Sequence, residues 1–316
     1  MTARAMSRPL RLLTIAGSDS SGGAGLQADL KTFAAHGAYG MSAVTAVTAQ
    51  STREVRAVFP LPAELVAEQI DAVLSDIGAD GVKIGMLAHA AIVRAVAERL
   101  RAHLGATPGA RPKAGDAHLG RLSVPVVLDP VLRSTSGTPL LAEEAVGALI
   151  RELLPLATLV TPNLPELEVL TGRRLAGAGE EERRAAAEAL AAASGAAVLA
   201  KGGHAEAEPE VVDLLIANGR THRFAHPRLA TRSTHGTGCT LSAAIAVRLA
   251  AGEELPPAVA GAIDYLRRAI AAAPPLGNGA GPLAHGVEPP PTGPGWRARR
   301  TGTHGRRMGV NVRGER

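Results

Sequence analysis

The sequence predicts an α/β protein with a mostly parallel central sheet and helices on both faces. Three observations carry that expectation. Short runs rich in Val, Ile, Leu and Thr recur along the chain, the stretches between them have helical spacing, and a polar or glycine-rich segment follows almost every run.

Segments 10–16 (LRLLTIA), 41–49 (MSAVTAVTA), 80–84 (DGVKI), 124–128 (VPVVL), 157–161 (ATLVT) and 197–200 (AVLA) are apolar without alternation, as expected of strands buried on both faces. Between them, 26–36, 63–77, 89–103, 143–153 and 180–193 place apolar residues at helical intervals. VVDLLI (211–216) and RTHRF (220–224) flank Asn218-Gly219, a hairpin turn signal, and a further helix is expected over 239–251. Residues 105–121 are rich in Gly, Pro, Ala and basic residues and read as a mobile surface insertion, so one domain over 10–286 is expected, after a disordered segment 1–9.

Composition excludes several classes. No apolar run approaches the roughly 20 residues that span a bilayer, and the N-terminus lacks a signal-peptide core, so a cytoplasmic protein without a membrane partner is expected. One cysteine makes neither an internal disulfide nor, without a Cys/His cluster, a zinc site. Residues 287–316 hold seven Arg and two Glu, a net +5 that equals the excess of the whole chain. Residues 1–286 are therefore charge-balanced, the Pro/Gly/Arg-rich tail reads as disordered, and no nucleic-acid partner is expected.

In a parallel sheet the ligand crevice lies beyond the C-terminal ends of the strands. The loops there read GSDSSGGAG (17–25), AQSTR (49–53), KIGML (83–87), LDPVLRSTSG (128–137), TPNLPELE (161–168) and KGGH (201–204). Gly23-x-Gly25-x-x-Ala28 has the form of a dinucleotide fingerprint, but the next strand ends in Gln50 where an acidic residue should hold the ribose. No G-x-x-x-x-G-K-[ST] occurs, so a P-loop is excluded.

Phosphate can be held another way. In STHGTGCTLS (233–242), Gly236, Thr237 and Gly238 let backbone N–H groups converge at a helix start, an anion hole for a transferring phosphoryl group. Cys239 shares that field, which favours a thiolate able to act as a base; a buried, inert thiol is the alternative. Asp129, Asn163, Glu166 and Lys201 all follow strand ends: Asp129 and Glu166 suit Mg²⁺ bound through water, and Lys201 suits phosphates, although each also has an ordinary capping or solvated role. Asp29 and Gln50 would offer hydrogen bonds to a flat polar ring, and His235 either orients a phosphate or shapes its loop. Acids, lysine and anion hole at one sheet edge are the parts of a metal-dependent small-molecule kinase without a P-loop.

AGSDSSGGAGLQADLKTFAAHGAYG, TAVTAQSTR, KIGML, LDPV, TPNLPE, KGGH and STHGTGCTLS, in that order, resemble the hydroxymethylpyrimidine/phosphomethylpyrimidine kinases of thiamine biosynthesis over about residues 10–286. The resemblance implies a ribokinase-like three-layer α/β/α sandwich. It also implies phosphorylation of 4-amino-5-hydroxymethyl-2-methylpyrimidine and then of its monophosphate, with ATP and Mg²⁺. By motif it implies a pyrimidine pocket of Asp29, Gln50, Gly17, Met86 and Val131, with Asp129, Asn163, Glu166 and Lys201 at the nucleotide and metal, Gly236–Gly238 as anion hole, and Cys239 as base. A homodimer is expected on the same ground. Thr135 stands where many members have Lys in an AKSG segment. Three rivals remain: a pyridoxal or pyridoxine kinase, a non-catalytic pyrimidine-binding sensor and, motivated only by the basic tail, a nucleic-acid-binding module.

Overall fold

A computed structural model describes residues 8–105, 122–134, 137–203 and 209–291. The expected insertion (from 106), Thr135, His204, residues 1–7 and the tail from 292 lie outside the described residues.

Eight strands form one sheet: β1 (Arg11–Ala16), β2 (Tyr39–Val44), β5 (Gly81–Ile84), β6 (Val126–Leu128), β7 (Leu159–Val160), β8 (Ala197–Ala200), β9 (Glu210–Ala217) and β10 (Arg220–Pro227). Their order is β10-β9-β8-β7-β6-β5-β1-β2; β2 through β8 pair in parallel, and β9 and β10 close one edge antiparallel. Successive strand residues serve opposite faces. Leu13, Ile15, Val82, Ile84, Val126, Leu128, Val160 and Val198 pack into the core beneath α2 (Ala63–Asp76), α3 (Ala90–Leu104), α5 (Leu164–Thr171) and α6 (Glu180–Ser194). Leu12, Val127, Leu159, Leu199 and Leu215 pack into the core formed with α7 (Thr237–Ala250), α8 (Leu255–Ala271) and Phe33 of α1 (Gly25–Ala35). The three-layer α/β/α sandwich expected from the sequence is the observed fold.

Four elements differ from the sequence reading. The run 41–49 is two strands, because Thr45 donates its hydroxyl to the Met86 carbonyl (2.6 Å) and its N–H to Ala16 (3.0 Å), and the chain leaves the sheet there. β3 (Ala46–Gln50) then pairs antiparallel with the unanticipated β4 (Val55–Pro60) in a separate two-stranded sheet. The stretch 143–153 begins as α4 (Glu143–Ala148) and loosens into a π-helical turn, Leu149–Leu153. The amphipathic α8 was also unanticipated.

The Asn218-Gly219 hairpin is as expected, with φ of 51° and 69° at the two turn residues. The packed chain runs five residues past 286: Val287 touches the α7–α8 core, and buried Arg248 donates to the carbonyls of Pro290 (3.2 Å) and Pro291 (3.3 Å). Among the described residues no helix is long and apolar enough to cross a membrane.

Candidate active site

The C-terminal ends of β1, β5, β6 and β8 open onto a cleft of about 580 Å³, with the start of α7 at its head. Gly17, Gln50, Met86, Asp129, Val131, Asn163, Glu166, Lys201, Gly236, Thr237, Gly238 and Cys239 all line it, bringing together residues drawn from across the chain.

The loop after β1 is folded by one carboxylate. Asp19 accepts the backbone N–H groups of Ser21 (2.9 Å), Gly23 (3.0 Å) and Ala24 (2.7 Å), and its Oδ2 lies 2.7 Å from His235 Nε2. Burial alone would raise this carboxyl, but His235 and the Ser21 hydroxyl outweigh it and hold the pKa down at about 2. Three amides that a dinucleotide phosphate would need are thus occupied, which removes the fingerprint reading of Gly23-x-Gly25. His235 shapes the loop, and its Nε2 is 3.5 Å from the Gln50 amide nitrogen.

The same contact joins this loop to the turn before α7. Gly236 is the N-cap of α7 with φ 81°, and a Cβ there would stand 1.9 Å from the Gly23 carbonyl oxygen. Only glycine satisfies both the left-handed backbone and the close approach. No side chain caps α7 and no acidic residue stands in its first turn, so the positive end of the helix dipole meets the cleft that Gly236, Thr237 and Gly238 line; the Thr237 N–H donates to the Thr234 carbonyl (3.4 Å).

Opposite Gly238 lies an ion pair. Asp129 Oδ1 accepts from Lys201 Nζ (2.9 Å) and Thr161 Oγ1 (3.1 Å), and a Cβ on Gly238 would come within 3.1 Å of that ammonium and 3.5 Å of Asp129 Oδ2. Burial would raise Asp129, but Lys201 and Lys83 hold it below the usual carboxylate range. Burial likewise would lower Lys201, and Asp129 and Glu166 keep it above its ordinary value, so the lysine is cationic.

Asn163 and Glu166 form the capping box of α5: Asn163 Oδ1 accepts from the Glu166 amide (2.9 Å) and Glu166 Oε2 from the Asn163 amide (2.8 Å). Burial, with a further push from Asp129, raises the Glu166 carboxyl to about 7 against the pull of Lys201.

Two expectations change. Asp29 is fully buried and lies beneath the cleft lining; its Oδ2 accepts from Lys83 Nζ (2.9 Å) and Thr14 Oγ1 (2.6 Å), while Oδ1 is buried without a partner. Cys239 does not favour the thiolate: burial, with Asp29 and Asp129 nearby, pushes its thiol up to about 11 despite the opposing effects of Lys83 and the Gly25 N–H.

Lys83, Asp19 and Thr161 escaped the sequence reading. A lysine inside a four-residue apolar strand was the available signal for Lys83, because a buried charge needs a partner and a reason.

The sequence model of the phosphomethylpyrimidine kinase family matches residues 19–108 and 114–284. The chain belongs to that family. It is 48% identical over 275 residues to the hydroxymethylpyrimidine/phosphomethylpyrimidine kinase of Rhizobium meliloti, covering 86% of this chain and 96% of the relative. The Escherichia coli kinase of the same name is 44% identical, with 87% and 97% covered. Among solved structures, phosphomethylpyrimidine kinase from Clostridium difficile superposes with a TM-score of 0.68 at 39% identity, covering 83% of this chain and 99% of that one. Pyridoxal kinase from Staphylococcus aureus in complex with ADP superposes at 0.75 with 32% identity, covering 89% and 94%. A kinase of ribokinase-like fold, acting on a small molecule, is therefore established.

The contact at Gly236 gives a direct test. Gly236→Ala should cut phosphoryl transfer at least about tenfold and lower stability by about 1–3 kcal/mol, read by coupled ADP assay and thermal melt. Gly286→Ala, where an added Cβ meets nothing within 4 Å, should leave both as they are.

Proposed function

We propose that this kinase phosphorylates the hydroxymethyl group of 4-amino-5-hydroxymethyl-2-methylpyrimidine and then the resulting monophosphate, taking both phosphoryl groups from MgATP in one cleft. The observation that carries the reading is the convergence of the uncapped Gly236–Gly238 turn, the Asp129–Lys201 pair and Cys239 at one end of the cleft.

Phosphoryl transfer through a loose transition state asks the protein mainly for positioning and for charge placed in advance. The α7 amides supply donors to the migrating group, and Lys201, held by Asp129, supplies a cation beside them. Gln50, Gly17, Met86 and Val131 enclose the flat ring. Asp29 Oδ1, left without a partner, is the acceptor for a donor on that ring. Met86, a flexible side chain, lies against Gly17, its Cε 2.2 Å from where a Cβ would stand.

Mg²⁺ fits the donor set. Magnesium is usually held by one or two carboxylates together with substrate phosphates and water, and Asp129 Oδ2 faces Gly238 while Glu166 stands behind Lys201. When bound, the ion neutralises charge on the phosphates.

In the first step Cys239 acts as base only as the thiolate: its own proton passes to solvent, and the sulfur then takes the hydroxyl proton. A phosphate acceptor brings an oxygen that is already anionic, so the second step does not need this base. We assign the protein to the cytoplasm as a single kinase domain. It forms a homodimer in this reading, for which the exposed Val47–Phe59 cross-strand pair on β3 and β4 offers an apolar face. Pyridoxal phosphorylation is the second reading, favoured by the higher TM-score to the Staphylococcus aureus enzyme.

Incubation with MgATP and the hydroxymethylpyrimidine, with pyridoxal in parallel, should yield monophosphate and then diphosphate. Turnover of pyridoxal alone would move the substrate to the second reading, and ligand binding without ADP release would make the protein a sensor. Cys239→Ala should slow the first step at least about tenfold more than the second; equal loss would remove the base. Because a carboxylate must be ionised to bind a cation, the apparent Mg²⁺ affinity should rise as pH climbs through about 7 and level off above it. Glu166→Gln should abolish that dependence, as measured by Mg²⁺ titration of initial rates.

A further inference from the structure

The β3–β4 ribbon carries Gln50 to the cleft, and a two-stranded ribbon is marginally stable by itself. Its register shifts between Ala49 and Gln50, a bulge of the kind that re-aims a side chain beside a site. On one side the backbone there is held by Ser20, whose hydroxyl oxygen accepts the Gln50 N–H (2.8 Å). Two residues further on, at Thr52, a second support comes from the far end of the domain.

Residues 277–281 (GNGAG) form a strap against the ribbon turn. Thr52 accepts twice: its carbonyl from the Ala280 N–H (2.9 Å) and its hydroxyl oxygen from the Gly279 N–H (3.2 Å), 227 positions away. The approach leaves no room for side chains. A Cβ on Gly279 would stand 2.0 Å from the Thr52 carbonyl oxygen, and one on Gly277, where φ is 75°, would stand 2.3 Å from the Thr52 hydroxyl oxygen. The other end of the strap is fastened to the turn before α7: the Gly281 N–H donates to the Arg232 carbonyl (3.0 Å), and the Gly281 carbonyl accepts from the His235 N–H (3.1 Å). One short segment thus joins the residue two past Gln50 to the residue before Gly236.

We infer that Thr52 is a positioning residue for the acceptor: clasped by the strap, it sets where Gln50 stands relative to the Gly236–Gly238 turn, and so how far the acceptor hydroxyl lies from the transferring group. The inference rests on the reading that Gln50 faces the acceptor ring. Its consequence is one-sided. Lys201 and Asp129 are held by each other and by Thr161, and Gly236 by its approach to Gly23, without Thr52. Loosening the clasp therefore impairs use of the acceptor and spares the nucleotide. Phosphoryl transfer is sensitive to such a shift, since a misplacement of about 1 Å can cost about a hundredfold in rate.

Initial rates of the full-length protein, with each substrate varied in turn, read that split. In Thr52→Val, which removes the hydroxyl and keeps the shape, kcat/KM for hydroxymethylpyrimidine should fall at least about threefold while the KM for ATP stays within about twofold of wild type. Thr52→Ser, which keeps the hydroxyl, should stay within about twofold on both. Gly279→Ala pushes the ribbon turn away and should cost the acceptor at least about tenfold, again sparing ATP. Calorimetry should show the same split without turnover, with weaker binding of the pyrimidine and unchanged binding of ADP. Equal losses for the two substrates, the mark of general loosening, would overturn the inference, as would an acceptor unaffected by Thr52→Val or a Thr52→Ser as impaired as Thr52→Val. An acceptor effect in Thr52→Val with none in Gln50→Ala would also overturn it, because the clasp would not act through Gln50. Should Gly279→Ala not fold, the Thr52→Val and Thr52→Ser pair carries the test. If the wild-type protein turns over pyridoxal instead, the pyrimidine reading falls, and the same split measured with pyridoxal decides the role of Thr52.

Discussion

The site depends on two turns packed too closely for a side chain between them. The Gly23 carbonyl occupies the space where a Cβ on Gly236 would be, and Asp19 ties the two turns together by accepting three amides of its own loop and contacting His235 of the other. This contact spans more than two hundred positions of sequence. It fixes where α7 begins, and so where uncapped amides and the thiol meet the cleft.

Around that frame, charge is arranged in pairs. Lys201 leans on Asp129 within the cleft, and Lys83 leans on Asp29 at its floor. Each lysine stays cationic in a buried setting only because its partner is there. The setting bears on Cys239 as well: burial first, and then the carboxylates that hold the lysines, push its thiol up to about 11. A thiol raised this far holds its own proton at rest, and it can accept the proton of a hydroxyl only after releasing that one.

The sheet and most helices were legible because their strands are unbroken apolar runs and the loops after them carry the polar residues. What was missed has physical causes. Thr45 splits an apolar run through a hydrogen bond to Met86, a contact no periodicity reveals. β4 has only exposed and partly buried positions on a two-stranded ribbon, and no deep core marks it out. Most of the lining was found from strand-end position and motif, including Gln50, Asp129, Lys201 and Gly236–Cys239. The environments were not: the dipole at the head of α7 was visible in sequence, whereas the burial of the thiol, and the approach of Asp29 and Asp129 to it, come only with the fold. Glu166 and Asn163 line the cleft and cap α5 at once, so capping does not take them out of the cleft.

The most direct measurement is a crystal structure of the protein with the hydroxymethylpyrimidine and a non-hydrolysable ATP analogue. The terminal phosphate should lie about 3 Å from the leading amides of α7, with Lys201 beside it and the acceptor hydroxyl between that phosphate and Cys239 Sγ. A nucleotide bound with its phosphates away from the Gly236–Gly238 turn, or an acceptor hydroxyl remote from the sulfur, would contradict the account.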